Sequence, residues 1–474
     1  MRKASIFTIF LIVFVDLVGF GIVLPNLQLY GQRIGINNYF FLTLIGATYS
    51  LFQFGFAPIL GKWSDHIGRR PVLIISQCGT VFGFLLLFAA DFANTMALGV
   101  TLIFASRIID GISGGNISTA NAYIADITTP ENRSKGMGAI GAAFGLGFVF
   151  GPVIGGTVAH FLGLGYVPIV AAAFSLTALL MTIFTLPESR KFDGDNPAAA
   201  RRFTVRTIEH ALVRPIIGPM ILLFFLNGFA FAGMEQTFSL LIQHRLYPLP
   251  PTAVEVGASL NGHHASLTVP TVHVSASFNA HRVSLTLPSD SKEYRRRQDD
   301  RASTASGYLF GCIGIVIVLI QGGMIGRLTK KYGETALAIV GPMIIAAGLV
   351  LIGIPVHWAW RWTGFLAGGI LLAIGSGLFN PSMQSLISRH CSAGEQGEVL
   401  GATQGMASLA RALGPVVAGV LFEYAFPAMP YYVSAALCVL VTLVVFSGRA
   451  KYRPPVAPPA IATADAAAVS QAAE

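Results

Sequence analysis

Charge is what this chain has least of. Only 11% of its 474 residues are Asp, Glu, Lys or Arg, against about 25% in a soluble domain. Hydrophobic residues make up 54% and mean hydropathy is +0.66. That leaves too little polar surface for a soluble protein of this length. Cysteine is also scarce. Cys78, Cys312 and Cys438 fall in apolar runs and Cys391 in a cytoplasmic loop, so no structural disulfide is expected. There is no G-x-x-x-x-G-K-[ST] loop, which excludes ATP-driven work by that motif. No metalloprotease helix pair or other enzymatic constellation stands out, so an enzyme is not expected. No cofactor is implied.

What the chain has is long apolar runs. A transmembrane helix needs about 20 mostly apolar residues, and twelve candidates lie near 5–28, 40–60, 72–91, 96–124, 136–158, 164–186, 215–242, 306–326, 335–355, 362–387, 398–422 and 430–447. No small-residue cleavage site follows the first run, so it reads as an uncleaved helix. With both termini cytoplasmic, most of the 31 basic residues fall in cytoplasmic segments, as the positive-inside rule requires. The net charge of +9 is then a topology signal and does not indicate nucleic acid. The expected partners are the lipid bilayer, a small organic substrate and protons.

The chain also repeats itself. GKWSDHIGRR at 61–70 and GRLTKKYG at 326–333 each bracket polar residues between glycines seven positions apart. Asn116 answers Asn380, and GPVIGG at 151–156 answers GPVVAG at 414–419, at offsets of 263 to 265 residues. Parallel repeats of this kind build secondary transporters. The fold class is therefore an all-α membrane protein, with twelve transmembrane helices in two pseudo-symmetric six-helix bundles. The expected domains are residues 1–186, a cytoplasmic linker at 187–214 with a short surface helix, residues 215–447, and a flexible cytoplasmic tail at 448–474.

One segment breaks the symmetry. Residues 244–305 read as a long outside loop between the seventh and eighth helices. Within it VEVGASLNGHHASLTVP (254–270) recurs as VHVSASFNAHRVSLTLP (272–288). Each copy reads strand, polar turn, strand, with the turns at Asn261-Gly262 and Asn279-Ala280. A small β-ribbon is one reading and a mobile insert the other. Its histidines, His263, His264, His273 and His281, are irregularly spaced with no interleaved carboxylate or cysteine, so no metal site is expected. Removal of residues 250–300 is expected to leave transport largely intact.

A charge at mid-bilayer costs about 2.5–3.5 kcal/mol on insertion scales, so intramembrane ionisable groups are functional candidates. Asp16 is the clearest, near the middle of the first helix and followed by Gly19, Gly21 and Pro25. Arg107 and Asp110 share one face of the fourth helix at i, i+3 spacing. Arg107 pairs either with Asp110 or with Asp16, since an unpartnered buried arginine is prohibitive. Glu235 and Arg411 are the corresponding residues of the second half. Asn26, Gln53, Asn116, Asn227, Asn380 and Gln384 are candidates to line a central cavity, or to join helices by hydrogen bonds. Gly147, Gly151, Gly155 and Gly156, with Pro152 among them, form a ladder that lets two helices approach closely.

At these residues the chain resembles the major facilitator superfamily, and within it the twelve-helix drug:proton antiporters. GKWSDHIGRR matches that superfamily's G-x-x-x-D-x-x-G-R-R signature, and GFVFGPVIGG matches the antiporter signature G-x-x-x-G-P-x-x-G-G. DLVGFGIVLP (16–25) and RIIDGISGGNISTANAYIADIT (107–128) look like the first and fourth helices of tetracycline-efflux proteins. The resemblance implies proton coupling through Asp16 and Arg107. It implies a cytoplasmic gate network of Gly61, Asp65, Gly68, Arg69, Arg70 and Asp126. In one respect the chain departs from tetracycline exporters: they carry an acid in the third helix where this chain has Gly83, and no acid is read in the ninth helix.

The expectation is a monomeric secondary transporter of the cell membrane, the inner membrane in a Gram-negative cell. It would export an amphipathic organic compound or drug in exchange for protons by alternating access. The alternatives are a proton-coupled or facilitative carrier of a small metabolite, and a binding role for the outside repeat.

Overall fold

The computed structural model describes residues 5–190, 205–247, 275–279, 282–286, 291–355, 361–391 and 396–452. Twelve helical spans in it are long and apolar enough to cross a bilayer. They are Ile6–Ile34, Tyr39–Ile67, Arg69–Phe92, Met96–Ile127, Gly136–Phe161, Leu164–Thr185, Ile217–Leu246, Arg295–Tyr332, Glu334–Gly353, Trp362–Arg389, Val399–Tyr424 and Met429–Ser447. Each coincides with one apolar run of the sequence. In lipid a helix satisfies its own backbone hydrogen bonds, which is why such runs become helices. Capping fixes where several begin. Ser5 accepts from the Phe7 N–H, Asn38 from Phe41 and Thr95 from Leu98. Gly68 and Gly333 make the turns into spans 3 and 9 at φ of 103° and 81°, a backbone region that suits glycine.

The packing obeys the duplication. Span 1 packs on spans 5 and 6, span 3 on 4 and 6, and span 2 on 4; raising every number by six gives the contacts 7 on 11 and 12, 9 on 10 and 12, and 8 on 10. The two most extensive contacts between the bundles are span 5 with span 8 and span 2 with span 11, and the same operation exchanges them. Large apolar side chains such as Phe82, Phe184 and Leu443 are exposed on the outside of the bundles, as a lipid-facing surface requires.

The two ends of the molecule differ. On the outer side one hydrophobic core runs through both bundles, joining Val18, Leu42 and Phe84 to Phe238, Phe310 and Tyr431. On the cytoplasmic side the core divides. Ile12, Leu73 and Tyr123 belong to a cluster of the first bundle alone. Phe224, Phe379 and Val441 belong to a cluster of the second, which only Phe54 reaches from span 2. Polar contacts between the bundles follow the same division. Ser303 donates to Asn26, the Gln28 amide donates to Gln236, and the backbone N–H groups of Tyr39 and Leu164 donate to Glu423 and Asp300. The conformation is sealed outside and parted at the cytoplasmic end.

The eighth helix corrects the boundary of the outside loop. It begins at Ser291, not after residue 305, and its early turns bury Asp299, Ala302 and Ser303. Its partners are why it persists: Gln243 donates to Asp299 at 2.6 Å. Within the loop, β1 (Ser275–Asn279) and β2 (Arg282–Thr286) form an antiparallel ribbon. The ladder closes on the pair Asn279 and Arg282, one residue beyond the turn expected at Asn279-Ala280. The first copy of the repeat, the four loop histidines, linker residues 191–204 and tail residues 453–474 lie outside the described residues. The surface helix expected in the linker region is present at Val205–Val213.

Candidate transport site

Span 4 is broken at its middle. One helix ends at Ser113, the next starts at Asn116, and Gly114-Gly115 stand between them. Close packing demands those glycines: a β-carbon on Gly114 would lie 2.4 Å from the Tyr49 hydroxyl, and one on Gly115 would lie 2.9 Å from the Ala57 backbone. The exposed backbone at the break is satisfied by side chains. Gln53 donates to the Gly114 carbonyl at 2.9 Å, and Ser76 donates to that of Ser113. Irregular backbone at membrane depth persists only where protein or a polar path replaces the lost bonds.

Asn116 starts the second half of this broken helix, and its amide donates to Asp16 Oδ2 at 3.1 Å. The other oxygen, Oδ1, is buried with no hydrogen-bond partner, and the hydroxyl of its neighbour Ser175 is likewise unpartnered. Asp16 therefore faces neutral groups of spans 4 and 6. The open choice for Arg107 resolves the other way: it pairs with Asp110 at 3.2 Å. That contact lacks hydrogen-bond alignment, since Asp110 Oδ2 and Arg107 Nε both remain without hydrogen-bond partners. Arg107 also donates to Ser106 and lies 5.7 Å from the centre of the Phe84 ring. The departure at Gly83 falls on this pair. A β-carbon there would lie 3.1 Å from that of Asp110, so Asp110 occupies the ground where a third-span acid would project.

In the second half, Glu235 is buried in span 7, and Arg411 donates to Ser408 on its own helix. Arg411 lies near Glu235 of its own bundle and near Tyr49 of the other. Tyr49 also lies near Asp110, Asp16 and Arg107. It stands between the two charge clusters, and polarity at a half-buried aromatic gave little warning of it. The proposed cavity residues separate into two groups. Asn26, Gln53 and Asn116 are engaged in the contacts above. Asn227 is buried beside Cys438, Asn380 is half-buried, and Gln384 is exposed.

The glycine ladder of span 5 has two working faces. β-Carbons on Gly147, Gly151 and Gly155 would strike Leu17, Gly21 and Ile22 of span 1, whereas one on Gly156 would meet Gly307 of span 8. Gly414 and Gly419 repeat the arrangement: the first meets Phe229 of span 7 and the second Thr43 of span 2. The antiporter-like motif thus sits at a three-helix junction in each half.

At the cytoplasmic end, Arg69 is the hub. It contacts Asp65 at 2.7 Å, Asp126 at 3.0 Å and Ser64 at 2.6 Å. Arg70 stands apart, donating to the Ile183 carbonyl. Glu188, missed in the sequence, accepts from the backbone N–H groups of Arg69 and Arg70, and Arg190 reaches Asp65 at 3.4 Å. A β-carbon on Gly68 would lie 2.6 Å from the Glu188 carboxylate, whereas Gly61 has only Ser118 nearby. In the second half Glu334 is the first residue of span 9, so that helix does carry an acid, bound to Ser385 and Arg389. No group of three metal-ligating side chains is found among the described residues.

The family model for the Major Facilitator Superfamily matches residues 9–270 and 265–471. The chain belongs to this superfamily. A bovine relative, major facilitator superfamily domain-containing protein 10, is 30% identical over 405 residues, covering 85% of this chain and 78% of the relative. The class C tetracycline resistance protein of Escherichia coli is 29% identical, with 86% and 87% covered. Among solved structures, the human organic anion transporter MFSD10 (TETRAN) aligns with a TM-score of 0.60 at 24% identity, covering 93% of this chain and 98% of that one. The chain is accordingly a multi-pass membrane transporter of the superfamily, working on a small molecule in a lipid environment.

Proposed function

We propose that this superfamily transporter exports an amphipathic organic compound in exchange for protons, as a monomer, by alternating access. The observation that carries the reading is the state of Asp16. Its carboxylate has one neutral donor and one buried oxygen with none, while Arg107 of the same bundle is committed to Asp110. A carboxylate so placed is stabilised by binding a proton and is charged only when water or a cation reaches it. Alternating access supplies that change: the outer seal excludes water from one side, and the parted cytoplasmic end admits it from the other. Similarity to tetracycline resistance proteins supports export.

A second reading has its own support. The organic anion transporter MFSD10 is similar in fold, and Arg411 makes no ion pair within 4 Å among the described residues. An organic anion could take Arg411 as its partner, in a proton-coupled or facilitative carrier. Proteoliposomes holding a pH dye separate the two. Addition of an amphipathic dye such as ethidium to one side should drive protons the opposite way, and Asp16→Asn should abolish that flux. Substrate movement at equal rate with no proton movement would leave the facilitative carrier standing.

A further inference from the structure

The two halves match at their cytoplasmic ends in backbone but not in charge. Span 3 begins at Arg69, and the Glu188 carboxylate accepts from the N–H groups of Arg69 at 2.9 Å and Arg70 at 3.1 Å. The open N–H groups and positive dipole end of that helix are met by an anion the chain itself supplies. Span 9 begins the same way, at Glu334 after a left-handed glycine, but among the described residues no carboxylate from elsewhere in the chain meets its first N–H groups. The segment equivalent to Glu188 is Lys451-Tyr452, which carries no acid. Among the described residues it approaches through the Tyr452 carbonyl, which accepts from the Thr335 hydroxyl.

Beside this uncapped end lies a cleft of 440 Å³ between spans 8, 9 and 10, lined by Lys330, Arg389, Thr329, Ser382 and Ser385. Glu334 also lines it, but its carboxylate is already held by Ser385 at 2.6 Å and Arg389 at 3.0 Å. Ser382 is 2% exposed, and its hydroxyl is buried with no partner, an uncommon state for a buried polar group. There is room: β-carbons on Gly326 and Gly333 would meet nothing within 4 Å. Ile325 and Pro381 form apolar walls, and Met324, next to Ile325 on span 8, is exposed.

We propose that this cleft binds a phosphate group, carried by the headgroup of an anionic phospholipid of the cytoplasmic leaflet. Lys330 supplies the free charge, Arg389, the Ser382 hydroxyl and the start of span 9 supply donors, and the adjoining apolar side chains meet the acyl chains. Basic pockets between transmembrane helices on this side suit such headgroups. The phosphate takes the place that Glu188 fills in the first half.

The test is native mass spectrometry of the full chain in detergent, titrated with phosphatidylglycerol or, in a second arm, with inorganic phosphate. Wild type should retain one phosphatidylglycerol. Lys330→Gln and Ser382→Ala should each weaken retention by roughly tenfold, the scale of one charge-assisted hydrogen bond, with unchanged unfolding temperature in lipid-free detergent. Lys62→Gln, a basic change on the same side but outside the cleft, should retain lipid normally. Equal retention by all four proteins would overturn the site. Inorganic phosphate competing at the same concentration as the lipid would overturn the lipid assignment in favour of a soluble phosphate compound.

Discussion

Gly21 of span 1 and Gly151 of span 5 meet backbone to backbone: a β-carbon on Gly151 would lie 2.5 Å from the Gly21 carbonyl carbon. Neither backbone can yield without moving its helix. Overpacking of this kind costs about 1–3 kcal/mol. Gly151→Ala should therefore already reduce the transport rate about tenfold or more, and Gly151→Leu should be inactive. Gly145→Ala is the matched control, since its β-carbon would meet nothing. Initial rates normalised to membrane protein decide the point; an active Gly151→Ala would mean that spans 1 and 5 separate easily.

Asp16→Asn should stop proton-driven accumulation yet leave substrate-for-substrate exchange largely intact. The asparagine keeps the contact with Asn116 and the size of the side chain but carries no titrating proton. Asn116→Ala, which removes only a donor, should have a smaller effect. Counterflow in proteoliposomes measures exchange without a proton gradient. Loss of both activities together, with normal folding, would make Asp16 a substrate ligand or a structural group instead.

Much of this architecture was legible because bilayer helices are written as long apolar runs, and all twelve runs became spans. The duplication was legible through glycines, whose small size both halves need at the same junctions. Lateral partners were not. The i, i+3 spacing of Arg107 and Asp110 allowed their pairing, but only packing could show that Asp16 turns to Asn116 and Ser175. The start of span 8 was hidden by its polarity, because Arg295, Arg296, Arg297, Asp299 and Asp300 look like loop. A signal was present: Asp299, Ser303 and Ser306, all buried, recur at i, i+4 and i+7, the stripe of one helical face. Glu188 was invisible because a cap on span 3 came from beyond span 6.

In the cytoplasmic network, Arg69→Ala should slow turnover more than Arg70→Ala. Arg69 is buried and holds Asp65, Asp126 and Ser64 together, whereas Arg70 meets one carbonyl. Asp65→Ala and Glu188→Gln should fall between them. These residues lie far from Asp16, so substrate affinity should change little. A bias of about 1–2 kcal/mol between conformations already alters populations roughly five- to thirtyfold. Cysteine crosslinking of the cytoplasmic ends, alongside equilibrium substrate binding, separates the terms. Equal losses in affinity and rate with unaltered crosslinking would contradict a gating role.

Removing residues 250–288 should leave transport largely intact, whereas removing 250–300 should abolish it. The difference is the first turns of span 8. Asp300 accepts from the Leu164 N–H at 2.8 Å and lies 3.9 Å from Arg33, itself paired with Asp91 at 2.7 Å. Together with Gln243 and Asp299 these groups tie span 8 to spans 1 and 7 and to the turn between spans 5 and 6. Cutting to residue 300 strips them from the outer seal and leaves Arg33 with Asp91 alone. The shorter deletion keeps them, and its geometry closes. At about 1.5 Å per residue, Ser291 stands roughly 12 Å beyond Asp299 and Leu246 about 4–5 Å beyond Gln243. The five residues left between Leu246 and Ser291 span up to about 16 Å, enough to join helices that touch at Gln243 and Asp299. Efflux from cells with matched surface levels of full-length and shortened protein measures the outcome. Loss of efflux in the 250–288 deletion despite normal insertion would make the repeat a working part of the carrier.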